Sequence, residues 1–176
     1  MRIIKHIAAL RSDRRGVAAI EFAIFASLIS IGMLNVVDVA VYVYQRMQVE
    51  YATQAGAQAA WHTCDINHLP ATNNCSGLNT AVTSAVQSTS LGTQVTLQSG
   101  SPSEGYYCVN SSGTLQYMSD VNHKPTDCSA AGSAGVQPAD YITISTTFAY
   151  APLFPGITVT STFATPITKT ALMRLG

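Results

Sequence analysis

From Val17 to Val37 the chain reads VAAIEFAIFASLISIGMLNVV, an apolar run broken by a single charge, Glu21. As a helix rising 1.5 Å per residue, it covers about 31 Å, which matches a bilayer core of about 30 Å. Asp38 closes the run, and apolar character resumes as VAVYVY, with Tyr42 and Tyr44 where interfacial aromatics are common. The rest of the composition agrees with a membrane protein. Charged residues make up 10% of the 176, against about 25% in a typical soluble domain. Hydrophobic residues reach 47% and mean hydropathy is +0.21, values that argue against an ordinary cytosolic enzyme and against charge-driven disorder.

The formal net charge of zero hides an asymmetry. Residues 1–16 carry Arg2, Lys5, Arg11, Arg14 and Arg15 against Asp13, a net +4, and the remainder carries −4. A short basic flank directly before an apolar span stays in the cytoplasm by the positive-inside rule. The remainder has no basic patch, so a nucleic-acid partner is not expected.

Three readings of the apolar run compete. A cleaved secretory signal has a core of about 7–15 residues followed by small residues at the cut. This core is longer and contains an acid, and Ala55, Ala57 and Ala59 come too late. A plain single-pass anchor fits both length and flanks. A pilin-type leader rests on one local pattern, Arg14-Arg15-Gly16-Val17-Ala18-Ala19-Ile20-Glu21-Phe22. There a glycine ends the basic leader, the apolar helix starts at once, and glutamate is its fifth residue. A cut after Gly16 leaves the helix whole, gives Val17 a new amine, and removes the +4 leader.

Glu21 needs a reason to exist. At mid-bilayer its charge costs about 2.5–3.5 kcal/mol on insertion scales. It lies only about 6 Å along the helix from Val17, so it can reach the interface and the positive end of the helix dipole. It is either a tolerated interfacial acid or the ionic partner of the Val17 amine of a neighbouring subunit. The spacing from Gly16 favours the second.

Residues 11–61 resemble the TadE-like family, pseudopilins of the tight-adherence (Flp, type IVc) pilus system. The matching pieces are Arg14-Arg15-Gly16, Ala19-Ile20-Glu21-Phe22, the long apolar helix, and the Ala/Gly-rich stretch Ala52 to Ala60. The ending, Ile157-Thr-Val-Thr to Thr170-Ala-Leu-Met-Arg174, resembles the family's last strand less specifically. Residues 62–140 carry no match. The resemblance implies cleavage after Gly16 by a prepilin peptidase, an aspartyl protease of the membrane. It also implies that Glu21 serves processing or assembly, with Phe22 where related pilins often carry an aromatic. The major pilins of the system are very short, so this longer chain fits a minor pilin or assembly pseudopilin better.

Beyond the membrane the helix is expected to continue to Trp61, because Gln45 to Glu50 are strong helix formers. The small residues Ala52, Ala55, Gly56, Ala59 and Ala60 allow close approach of a second element, either this chain's own domain or a helix of another subunit. Residues 62–75 read as loop. Leu78, Ala81, Val82, Ala85 and Val86 form one stripe of a helix over 78–91, with Asn79 as N-cap and Gly92 as its end. Thr93–Gln98, Gly105–Asn110 and Leu115–Ser119 read as short strands, with a hairpin turn at Ser111-Ser112-Gly113. Residues 120–139 form a long loop. Period-two alternation marks a strand over Tyr141–Tyr150, and a second carrying Ile157, Val159 and Phe163. The expected fold is α+β: a long N-terminal hydrophobic helix, a short helix, and an antiparallel sheet stapled by disulfides.

Cys64, Cys75, Cys108 and Cys128 all follow the membrane segment. An even count in an oxidising compartment points to two disulfides. Three pairings are possible, and proximity along the chain favours Cys64–Cys75 with Cys108–Cys128. A metal site at His62, Cys64, His68 and Cys75 is the alternative, and its spacing matches no common zinc pattern. No cofactor is expected. The chain has no G-x-S-x-G, P-loop or G-x-G-x-x-G. Asp65, Glu104, Asp120, Asp127 and Asp140 show no paired spacing, and a membrane-tethered hydrolase would need them gathered in a cleft.

The organisation expected is a cytoplasmic leader at 1–16, a helix over 17–61 that spans the inner membrane at 17–44, and an extracytoplasmic domain at 62–176. The functional expectation is a processed pilin-like building block. Its partners are the prepilin peptidase, other pilins, the inner-membrane assembly machinery and the bilayer. The alternative is an uncleaved, membrane-anchored binding domain.

Overall fold

The computed structural model describes residues 15–176, Arg15 by its backbone alone. Of the leader, only Gly16 and the Arg15 backbone fall within it. The first element, α1, runs from Arg15 to Thr63. After a 3-10 turn at Ile66–His68 come the single turn α2 (Ala71–Asn74) and the helix α3 (Leu78–Gln87). The strands are β1 (Val95–Leu97), β2 (Ser103–Val109), β3 (Leu115–Asp120), β4 (Ala139–Phe148) and β5 (Ile167–Arg174). The fold is α+β, and every strand pairing is antiparallel.

The chain divides into two compact units. One joins α1 up to Tyr42 with Ala151–Phe163, and the other joins Val43–Tyr150 with Ala164–Gly176.

In the second unit β4 is the organising strand. One of its edges carries β5 along Tyr141–Phe148. The other is shared, with β1 pairing at Thr146–Phe148 and β2 at Ala139–Thr143, while β3 extends the sheet beyond β2. Burial alternates along β4: Asp140, Ile142, Ile144, Thr146 and Phe148 are buried, and the residues between them are half-exposed. This is the period of a sheet covered on one face.

The cover comes from α1 and α3. Gly56 packs so closely that a Cβ there would lie 2.7 Å from Val86 Cγ2 and 3.3 Å from Ile144 Cγ2. Ala52 and Ala60 of the small-residue stripe are buried around it, with Ala57 beside them, while Ala55 and Ala59 are half-exposed, so most of the stripe serves this chain's own core. Thr53 and Thr146 share a hydroxyl hydrogen bond of 2.6 Å across that contact, which satisfies both buried groups. Each buried Ile or Val of this core contributes about 1.5–3 kcal/mol.

Three sequence expectations are corrected. α3 ends at Gln87, short of residue 91, and its N-cap is Gly77 at φ 93° with no side-chain cap, in place of Asn79. A left-handed residue entering the helix is cheap only for glycine. The expected strand through Ile157, Val159 and Phe163 is instead irregular chain with a 3-10 turn at Val159–Thr162. Pro152, Pro155 and Gly156 break the backbone there, and the last strand lies ten residues later at Ile167–Arg174. The other expected strands lie within two residues of their places. The hairpin turn at 111–113 forms, closed by Asn110, whose Oδ1 accepts from the Ser112 and Thr114 N–H groups.

The cysteines pair as Cys64–Cys75 and Cys108–Cys128. The first closes the loop after α1. The second ties β2 to the 121–138 segment, and Ala131 of that segment and Met118 of β3 pack against it.

Candidate functional site: the amino-terminal helix and its polar anchor

Gly16 opens the exposed part of α1. A Cβ at Gly16 would meet nothing within 4 Å, and its φ is not left-handed. Neither packing nor backbone geometry in this chain calls for glycine there. Val17, Glu21 and Phe22 follow, all exposed, Phe22 to 75%. Glu21 lies four residues after Val17, so the two share a helix face one turn apart.

The apolar side chains continue all the way round. Ile20, Ile24, Phe25, Leu28, Ile29, Met33 and Val36 are each more than half exposed. In the most apolar eighteen-residue window, of mean hydropathy 2.2, no residue is buried within the chain. A helix that is hydrophobic on every side and covered by nothing suits lipid or a bundle of like helices. Ser27 and Ser30 return their hydroxyls to the Ile24 and Ala26 carbonyls, so their polarity is satisfied within the helix.

Two polar residues at the far end of the run do something sequence reading missed. Asp38 is fully buried. Its Oδ1 accepts from the Leu153 N–H at 2.9 Å and its Oδ2 from the Thr160 hydroxyl at 2.9 Å. One turn earlier, the Asn35 side-chain amide donates to the Ile157 carbonyl at 3.0 Å and accepts from the Val159 N–H at 2.8 Å. Tyr42 meets the Phe163 ring edge-on at 4.9 Å. Together these bind the 151–163 segment along one side of α1. The only signal in the sequence is the pair itself: an Asn and an Asp three apart beside apolar residues, each needing partners.

The remaining acids have local duties. Glu104 accepts from the Ala71 N–H, the Thr72 N–H and the Thr72 hydroxyl, and so caps α2. Asp140 stands within hydrogen-bonding reach of Glu104. Burial, then the Glu104 charge and hydrogen bond, push the Asp140 carboxyl up to about 7, with Lys124 opposing. Asp127 accepts from the Ser129 and Gly135 N–H groups, and the Ser129 side chain first, then these two N–H groups, hold its carboxyl below the usual range. His123 meets Asp120 at 2.8 Å on the surface. Cys64 and Cys75 are joined to each other, so neither offers a thiolate to His62 or His68. Among the described residues, no three His, Cys, Asp or Glu side chains gather as a metal site.

Comparison with known families bears on α1. Residues 16–58 match the family model described as TadE-like protein. The chain carries a TadE-like amino-terminal segment. The match begins at Gly16 and takes in the exposed apolar helix, the Asn35–Asp38 anchor and most of the small-residue stripe. No curated protein and no solved structure matches the chain.

Proposed function

We propose that this chain is a pilin-like subunit or assembly component of a tight-adherence (type IVc) pilus. In this reading residues 1–16 are a cytoplasmic leader removed after Gly16 by a prepilin peptidase. Residues 17–44 cross the inner membrane and later pack in the filament or its base, and residues 62–176 form the extracytoplasmic domain. Glu21 pairs with the Val17 amine of a neighbouring subunit and sets the register of an apolar bundle. The protein acts as a substrate and building block, with other pilins and the inner-membrane assembly machinery as partners.

The observation that carries this reading is the TadE-like match beginning at Gly16, on a helix whose most apolar eighteen residues are left uncovered by the described residues of the chain. Gly16 has no packing duty, which agrees with a role in recognition by a protease. In lipid, a Glu21–amine pair between subunits satisfies two charges that are each costly alone.

The test is the intact mass of the membrane-extracted protein, with and without its prepilin peptidase. Loss of residues 1–16 only when the peptidase is present supports the proposal. A full-length chain in both samples replaces it with an uncleaved, membrane-anchored binding domain.

A further inference from the structure

The segment Ala151–Phe163, APLFPGITVTSTF, contains no charged residue. Leu153, Ile157 and Val159 each expose about half of their surface. An apolar, uncharged surface of this kind on an extracytoplasmic segment needs a covering, and its attachment to α1 says where that covering is. Asn35 lies about 27 Å along the helix from Val17 and Asp38 about 31 Å. A span that begins at Val17 therefore leaves a hydrocarbon core of about 30 Å at the residues that hold this segment. If the span begins nearer Phe22, so that Glu21 stays at the interface, the segment sits deeper.

The backbone of the segment suits that depth, where polar groups must find partners within the protein. Pro152 and Pro155 carry no N–H. The Leu153 and Val159 N–H groups donate to Asp38 and Asn35, and the Ile157 carbonyl accepts from Asn35. The Ile157 and Phe163 N–H groups close onto the Phe154 and Thr160 carbonyls. The Ser161 and Thr162 hydroxyls return to the Thr158 and Val159 carbonyls.

We propose that Ala151–Phe163 is a second membrane-contact element, with Leu153, Ile157 and Val159 seated in the interfacial layer of the leaflet where α1 leaves the bilayer. The inference rests on the membrane-spanning reading of α1. On it, Asn35 and Asp38 are the polar bolts of a collar whose outer surface is lipid-facing. The collar sets how far α1 can slide along the membrane normal, because moving it outward strips lipid from three apolar side chains.

Fluorescence quenching by brominated lipids tests this on the full chain in phosphatidylcholine vesicles. Trp61 is replaced by Phe, and single tryptophans are introduced as Val159→Trp and, separately, Leu153→Trp. Leu28→Trp serves as a marker of the span, and Tyr117→Trp as a marker of the sheet. The expected result is loss of most emission at 153 and 159 with bromines near the headgroup end of the acyl chains. Position 28 responds most to bromines near the chain ends, and position 117 responds to neither. Quenching at 28 with none at 153 or 159 overturns the collar while leaving the span intact, and this is also the result if a second protein copy covers the segment. Absence of quenching at 28 removes the membrane reading, and the collar with it.

Discussion

Asp140 shows how one residue can make the domain sensitive to pH. It stands on the buried face of β4 beside the Glu104 carboxylate, and its Oδ1 has no hydrogen-bond partner among the described residues. Folding raises its pKa from 3.8 to about 7, so the folded state holds the proton more tightly than the unfolded chain. The sign follows from linkage. This residue's contribution to stability is fully present below about pH 4 and is lost as pH rises through about 7. Urea unfolding of the full chain in detergent should therefore show a lower midpoint at pH 8 than at pH 5. Asp140→Asn should flatten that difference, and an unchanged difference in the variant would count against this assignment. Glu21 makes the second residue-scale prediction. With its side chain exposed on an uncovered helix, Glu21→Ala should leave folding and membrane insertion intact while most piliation is lost. Normal piliation of that variant would sink the register role.

At the scale of elements, the close contacts of α1 decide what it tolerates. Gly56→Ala forces a methyl against Val86 and Ile144, and neither branched side chain can swing clear cheaply. The expected cost is about 1–3 kcal/mol, read as a fall in the unfolding midpoint. Asp38→Ala removes the acceptor of the Leu153 N–H and of the Thr160 hydroxyl. The 151–163 segment should then open more easily by about 1–3 kcal/mol, seen as faster amide exchange at Leu153 while the β4 amides keep their protection.

These same contacts mark what could be read in advance. α1 announces itself by the length of its apolar run, α3 and β4 by local periods, and the Gly16–Glu21 pattern is contiguous. The 151–163 segment is held by residues 115 and 122 positions away, a distance over which no local pattern carries information. Ile157, Val159 and Phe163 alternate as a strand would. Yet the prolines and the anchor on α1 fold them as turns, and the true last strand begins only at Ile167. Asp140 lay just ahead of the strand read over Tyr141–Tyr150, and its tie to Glu104 depends on the β2–β4 register, which pairs Glu104 with Ile142 and Tyr106 with Asp140.

At the scale of the whole molecule, charge at one end and sulfur at the other must agree. On the orientation proposed above, the net +4 of residues 1–16 keeps the amino terminus in the cytoplasm by the positive-inside rule. That orientation would send every residue after the span to the far side, and all four paired cysteines follow the span. Disulfides persist in oxidising compartments and are rare in the cytosol. Each cross-link over a loop of this size is worth about 3 kcal/mol in the chain-entropy model. On this reading the domain's stability depends on the charge of the residues that precede the span. Replacing Arg11, Arg14 and Arg15 by Glu turns the flank from basic to acidic. A larger fraction of chains should then keep their carboxy-terminal part in the cytoplasm with reduced cysteines. Alkylation of intact cells with a membrane-permeant thiol reagent, followed by intact mass under non-reducing conditions, reads this directly. The native chain should resist alkylation and carry the mass of two disulfides, and the charge-reversed chain should gain up to four labels. If the charge-reversed chain is oxidised as completely as the native one, the leader does not set the orientation, and the span or the folding domain must do so.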